Sequence, residues 1–383
     1  MQLDAQTEDP RVSYDERRSR CPVSRDSAGS WTLYRHDDVR SAALDDVAFS
    51  SATSRFLQVP NGMDGAEHDL FRALTDRYFE PRRLAALEPV LADVAEDIVA
   101  ATLGAPTQPE AAADAVELGA RFAVRSACDW LGWPRTHERE LLDWVAANRE
   151  ASRSGDLTAT SAVATWYTNI IRSQTDERRA LGERAPADVT TELLGDDFLG
   201  RALTDEEITS ILRNWTGGDL SSMALCIGVV LAYLADHPQL QARMRAGVNE
   251  VEFNAILDEI LRIDNPFTSN RRVTTREVAL GDERIPAGDR VVLNWTAANR
   301  DPEAFGDPDA FSPYLNAPKN LVYGIGRHVC PGRALATMQL RLLTEAVLYR
   351  TSEILPDPDR DREREQPPAG GYARVPIVLR REA

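Results

Sequence analysis

Along most of the chain, apolar side chains recur every three or four positions, the spacing of one helix face. This pattern predicts helices over 84–103, 111–131, 138–149, 159–179 and 205–235. Another amphipathic helix is predicted over 331–351, opening on Pro331 in its first turn. Alternating or β-branched runs are fewer, and predict strands over 31–35, 272–280, 283–285, 290–294 and 372–379. Segments 182–188 and 356–368 read as loops. Strands gather near the N-terminus and after residue 270, while helices fill the middle. The expectation is a mainly α chain with a small β portion. No internal repeat or long Gly/Ser or Pro linker interrupts it, so residues 1–383 read as one interwoven domain.

Composition narrows the function. Hydrophobic residues make up 43% of the 383, enough for a substantial core. Acidic residues outnumber Lys plus Arg by 61 to 44, a net charge of -17, which argues against nucleic acid as a partner. Cys21, Cys128, Cys226 and Cys330 are scattered without CxxC spacing, so neither a disulfide framework nor a zinc cluster is expected. Residues 1–26 are polar and charged, unlike a signal peptide. No run of 18 apolar residues predicts a membrane span, and the expected location is cytoplasmic.

The densest chemistry lies in Tyr323-Gly324-Ile325-Gly326-Arg327-His328-Val329-Cys330-Pro331-Gly332. Two glycines permit a turn whose backbone approaches another group closely. Cys330 follows, just before a helix whose N–H groups and positive end favour a thiolate. Such a loop suits an electron-rich sulfur bound to a metal. A lone cysteine is more often a buried structural one. Here two glycines, His328 and Gly332 coincide around it. A dinucleotide loop would need a third glycine and a leading strand, and covalent c-type haem attachment would need CxxCH.

These ten residues resemble the cysteine-loop signature of cytochrome P450 enzymes, with Tyr323 in place of the usual Phe and Pro331 after the cysteine. The resemblance implies the P450 fold, with haem b between the long central helix and the cysteine-loop helix. It implies Cys330 as the iron's thiolate ligand, Tyr323 and Gly324 beside the cofactor, and dioxygen as co-substrate. Further segments carry the same likeness. Glu259 and Arg262 share a helix face at i,i+3 and resemble the family's structural pair. A third-member Arg is expected near 311–316, where Leu315 stands instead; Arg300 is a candidate substitute. His68 and Arg72 lie at i,i+4 and can donate to carboxylates. With Arg272 and His328, the resemblance makes them a clamp on the haem propionates. The segment 294–302 is also similar to bacterial members, so the likeness spans nearly the whole chain.

The central helix carries Trp215-Thr216-Gly217-Gly218-Asp219-Leu220-Ser221-Ser222. Two glycines there could permit a kink above a flat cofactor. By resemblance, Asp219 takes the place of the family's catalytic acid and Leu220 that of its relay hydroxyl. Ser221 would then point about 100° away in a regular helix. The usual relay would be missing, leaving a kink, water or a substrate hydroxyl to serve. The substrate is expected against Phe56, Leu57, Trp166, Trp215, Thr216, Phe267, Thr268 and Tyr372, each by default a core residue.

The expected activity is that of a haem-thiolate monooxygenase oxidising a small natural-product-like molecule in secondary metabolism. Two alternatives stand beside it: oxidative cross-linking of aromatic groups in a peptide or carrier-bound substrate, and a haem-binding sensor without turnover. The resemblance implies electrons from NAD(P)H through a ferredoxin reductase and ferredoxin. These would dock on a local basic patch for which Arg82, Arg83, Arg327 and Arg333 are candidates. Neither nucleic acid nor a membrane is an expected partner.

Overall fold

The computed structural model describes residues 9–105 and 107–381; part of the polar N-terminal stretch, residues 1–8, lies outside the described residues, as do 106, 382 and 383. The first third of the chain runs α1 (Pro10–Arg20), β1 (Val23–Arg25), β2 (Trp31–Leu33), α2 (His36–Leu44), β3 (Phe49–Ser50), α3 (Gly65–Asp76), α4 (Pro81–Leu103), β4 (Glu110–Asp114) and α5 (Ala115–Leu131). The middle is α6 (Glu138–Ser154), α7 (Leu157–Leu181), α8 (Val189–Leu194), α9 (Asp205–Asp236), α10 (Pro238–Arg245) and α11 (Glu250–Ile263). Then come β5 (Ser269–Thr274), β6 (Val278–Leu280), β7 (Glu283–Ile285), β8 (Arg290–Asn294), α12 (Trp295–Ala298), α13 (Pro302–Phe305) and α14 (Pro313–Asn316). The chain closes with α15 (Arg333–Arg350), β9 (Glu353–Pro356), β10 (Glu363–Arg364), β11 (Tyr372–Arg374) and β12 (Pro376–Arg380).

Helices build the larger core and a five-stranded sheet, ordered β1-β2-β8-β5-β3, builds a smaller one. Only the β2–β8 pairing is parallel in that sheet. A second sheet, β4-β12-β9, ties residue 110 to the closing strand. Several predicted boundaries shift; the 138–149 helix runs on to Ser154 and the 372–379 strand is divided into β11 and β12. The 111–131 helix begins only at Ala115, because Glu110-Ala-Ala-Ala-Asp pairs with β12 and tertiary pairing outweighs the helix preference of alanine. The 272–280 strand is two strands, and the cysteine-loop helix starts at Arg333, not Pro331.

α9 is the axis of the molecule. Thr204 caps it in a reciprocal box: its hydroxyl accepts from the Glu207 N–H at 3.2 Å, and the Glu207 carboxylate accepts from the Thr204 N–H at 2.8 Å. By length and composition α9 could cross a membrane, but 72% of its most apolar window is buried inside the protein, as in a core helix. It packs along α5 with unusually close backbones. A Cβ on Gly119 would lie 2.8 Å from Ile227 Cβ and 3.0 Å from Ala224 Cα. Gly228 answers from the other helix, where a Cβ would meet Val116 Cγ2 at 2.6 Å. This crossing fixes the height of α9 above the cysteine loop.

α11 is anchored from within. Arg262 and Glu259 form a fully buried bidentate pair, Nε–Oε2 2.8 Å and Nη2–Oε1 2.9 Å. Arg262 also donates to the carbonyls of Asn299 (2.8 Å), Pro308 (3.1 Å) and Ala310 (3.2 Å). The third partner is neither Leu315 nor Arg300. Asn316, one residue on, donates Nδ2 to Glu259 Oε1 at 2.7 Å, and the Ser312 N–H adds 2.9 Å. Leu315 is 76% exposed, while Arg300 is held by Asp15 and Asp309.

Candidate active site

The cysteine loop is rigid for local reasons. Gly324 and Gly326 adopt φ of 72° and 73°, a left-handed geometry that favours glycine. A Cβ at Gly326 would come within 2.8 Å of Leu44 Cδ2, so the loop lies flat on α2. The Cys330 N–H donates to Tyr323 O at 2.9 Å and closes the bulge. Arg72 reaches from α3 to donate to Val329 O (2.7 Å) and Arg327 O (3.2 Å), while its Nε holds Asp76 at 2.6 Å. The Arg333 guanidinium lies over the Tyr323 ring at 5.1 Å.

Facing this loop across a cavity of about 590 Å³ is the middle of α9. Cys330, Tyr323, Gly324, His328 and Arg272 line one side; Trp215, Asp219, Ser221 and Ser222 line the other. Leu220, expected at the relay position, is fully buried in the helical core and forms no part of this wall. A hydroxyl nevertheless stands in the wall, one residue on. Ser221 lines the cavity, and its Oγ is buried without a hydrogen-bond partner. One residue of helix turns a side chain by about 100°, and that rotation separates expectation from structure.

The electrostatics follow from burial. Burial pushes the Asp219 carboxyl up to about 7, against a 3.2 Å hydrogen bond from Gln339 Nε2 on α15. Burial also raises the Cys330 thiol, opposed by the Gly332 N–H; the expected thiolate bias from the helix end is outweighed, since the thiol sits outside α15. His328 is pushed down to about 4 by burial, with help from His68 and Arg272.

The four expected carboxylate donors divide into two pairs. Arg272 and His328 reach the cavity wall. His68 lies behind, its ring 4.3 Å from that of His328, and Arg72 is committed to the loop carbonyls. Arg272 is the informative member. It is buried, its guanidinium donates to Arg271 O at 2.8 Å, and no ion pair compensates it among the described residues. A buried guanidinium stays charged and calls for an anion. No cluster of three or more His, Cys, Asp or Glu offers a metal cage among the described residues, so a metal here would take a single thiol; Cys226 and Cys330 both line the cavity, and Cys330 is the one presented by the glycine loop. A flat apolar group with acidic arms and a metal centre fits this wall: thiol beneath, cation at one end, and Leu225, Leu261 and Leu335 around it. Haem meets that description.

The expected substrate contacts are only partly assembled. Trp215, Phe267 and Thr268 line the cavity, joined by Phe79, Trp130, Asn61, Ser152 and Asn214, which the sequence did not single out. Phe56 and Leu57 line a separate cleft of about 360 Å³. Thr216 is buried and donates to Leu212 O, Trp166 is bonded to Glu140, and Tyr372 lies under Arg364. Of the expected basic patch, Arg83, Arg327 and Arg333 are ion-paired with Glu192, Asp46 and Asp258; Arg82 has no ion pair among the described residues.

Comparison with known proteins matches this architecture. The family profile described as Cytochrome P450 matches residues 159–376. Cyclomarin C epoxidase CymV of Salinispora arenicola is 30% identical over 339 residues, covering 85% of this chain and 84% of that protein. Erythromycin C-12 hydroxylase of Saccharopolyspora erythraea is 28% identical over 364 residues, covering 91% and 88%. The ligand-free structure of cytochrome P450 TbtJ1 superposes with a TM-score of 0.86 at 27% identity, covering 97% of both chains.

Proposed function

This chain belongs to the cytochrome P450 family and is a monooxygenase, and from that premise we propose that it oxidises an amphipathic, natural-product-like molecule between α9 and the cysteine loop. One observation carries the reading: the loop thiol Cys330 faces α9 across one cavity, where Cys226, the acid Asp219 and Ser221, whose hydroxyl has no partner among the described residues, line the opposite wall. When bound, haem b would supply the iron that activates dioxygen, with Cys330 as its thiolate ligand. Arg272 and His328 would take its carboxylates, and His68 would brace His328.

The remaining chemistry belongs to side chains. Asp219, raised to about 7, holds its proton up to neutral pH, and Gln339 Nε2 fixes Oδ2. Ser221 Oγ, without a partner among the described residues, would be free to donate to a bound group, while Asp219, two residues earlier on α9, would hold its proton separately. Phe79, Trp130 and Trp215 keep water from the reacting region. The polar Asn61, Ser152, Asn214 and Asn270 beside these aromatic walls suit a substrate with hydrogen-bonding groups on an apolar frame. The epoxidase and hydroxylase relatives support that class. Electrons would come from NAD(P)H through a reductase and ferredoxin in the cytoplasm. The cross-linking reading rested on a missing relay hydroxyl, and with Ser221 in the wall no observation favours it.

A reduced, CO-treated absorption spectrum tests the cofactor assignment. Wild type is expected to give a strongly red-shifted Soret band, lost in Cys330→His; an unshifted band in wild type overturns it. Spectral titration with a macrolide and with an aromatic cyclic peptide tests the substrate class, and no response to either overturns it.

A further inference from the structure

We propose that an aromatic path, Trp215 to Tyr78 to Asp196, drains oxidising equivalents from the active site when no substrate consumes them. Trp215 lines the cavity. Its ring is 5.0 Å from Tyr78, 5.4 Å from Trp130 and 5.8 Å from Phe79, and Phe79 is 5.3 Å from Trp130. Phe79 also reaches the cysteine loop: its Cε1 lies 3.7 Å from the position a Cβ would take on Gly332, and Cys330 Sγ lies 4.0 Å from the same point. Three aromatic rings thus connect the site's centre to Tyr78.

Packing accounts for aromatic rings in a core. It does not account for what ends the path. Tyr78 Oη donates to Asp196 Oδ2 at 2.7 Å in a buried setting. Asp196 is held by the half-exposed Arg77 through bonds of 3.1 and 3.2 Å, and by the Phe198 N–H at 2.9 Å. Burial and this carboxylate raise the phenol well above its usual range, so Tyr78 carries its proton at neutral pH. An oxidised phenol is a strong acid, and a carboxylate already hydrogen-bonded to it can take the proton without rearrangement. The Arg83 guanidinium lies over the Tyr78 ring at 5.2 Å, but its charge is matched by Glu192.

The balance is simple. Hydrogen peroxide needs two electrons and two protons to become two waters. In each pass, Trp215 gives up one electron toward the haem site and recovers it from Tyr78. The Tyr78 proton moves to Asp196. An external enediol reductant such as the ascorbate monoanion then returns one electron, Tyr78 takes its proton back from Asp196, and the hydrogen ion released by the reductant makes good the one that peroxide draws from solvent in the same pass. Two passes reduce one peroxide and yield two oxidised ascorbyl radicals. The sequence rests on haem being bound, as proposed above.

Tyr78 does not line the cavity, so Tyr78→Phe removes the hydroxyl and leaves the active-site wall intact. The test mixes substrate-free ferric holoenzyme with hydrogen peroxide and follows freeze-quenched EPR together with Soret bleaching. Wild type is expected to give a tyrosyl signal that narrows with ring-deuterated tyrosine. Tyr78→Phe is expected to lose that signal and bleach several-fold faster, and ascorbate is expected to protect wild type only. Asp196→Asn keeps the phenol but removes the proton acceptor, and is expected to replace the tyrosyl signal with a tryptophanyl one. An unchanged radical and bleaching rate in either variant overturns the path, as does a wild type with the thiolate CO spectrum but no protein radical. A chain without that spectrum overturns the cofactor assignment as well.

Discussion

Replacing Asn316, Glu259 and Leu315 in turn separates three magnitudes that the structure assigns to one small region. Glu259 Oε1 accepts from Arg262 Nη2 (2.9 Å), the Ser312 N–H (2.9 Å) and Asn316 Nδ2 (2.7 Å). Asn316→Ala removes one of three donors to a buried, charged acceptor, which costs roughly 1.5–3 kcal/mol. Glu259→Gln removes the one carboxylate paired with the buried Arg262 among the described residues, leaving its guanidinium to carbonyl and amide oxygens. Breaking a buried pair from one side costs about 3–5 kcal/mol. Leu315→Arg places the family's expected residue on a side chain facing solvent and should change stability by less than ~0.5 kcal/mol. Equilibrium urea unfolding followed by far-UV circular dichroism, at one cofactor loading, measures all three. The predicted order of cost is Glu259→Gln, then Asn316→Ala, then Leu315→Arg. A large effect of Leu315→Arg with none from Asn316→Ala would refute the assignment of Asn316 as third partner.

Ser221→Ala should lower product formed per electron consumed and raise peroxide release. Leu220→Thr should leave that ratio unchanged and cost about 1–3 kcal/mol for a hydroxyl buried in the apolar core. Asp219 has a folded-state value of about 7, above the ordinary carboxylate range, so the native state prefers its proton. Turnover limited by that proton should fall as pH rises through about 7, and native stability should also decline between the ordinary carboxylate range and that pH. In Asp219→Asn the stability decline should be absent from pH-dependent melting curves. Arg272→Gln removes the uncompensated cation and should speed haem loss to an apomyoglobin scavenger. Gly119→Val puts a side chain where Ile227 and Ala224 already sit; thermal melting should register at least the ~1–3 kcal/mol typical of overpacking.

The sequence was most legible where periodicity ran long. The 205–235 pattern returns as α9, and the mainly α chain with a small β portion is the architecture seen. It was least legible at single-residue resolution. Leu220 holds the expected relay position while Ser221 lines the cavity, and Leu315 holds the expected third-partner position while Asn316 makes the contact. In each case the residue after the motif position faces the site, because one residue of helix turns a side chain by about 100°. Spacing alone could not reveal this, because Ser221 is identified by an empty hydroxyl and Asn316 by the carboxylate it meets. Gln339 was invisible for another reason: it reaches Asp219 across 120 residues of sequence. Likewise the spacing of Arg72 showed a donor, but not that it also reaches the carbonyls of Arg327 and Val329 in addition to Asp76, since backbone acceptors carry no sequence signal.

Trp215 and Trp130 are the obvious residues to shrink for anyone enlarging the cavity to accept bulkier molecules. They are also rings of the cluster that leads to Tyr78. Selection for breadth of substrate would then trade against operating lifetime: each enlarged variant would turn over new molecules while destroying itself sooner, most visibly at low substrate supply. A library screened only on initial rate would not register the loss, whereas one screened on total product before inactivation would keep these tryptophans.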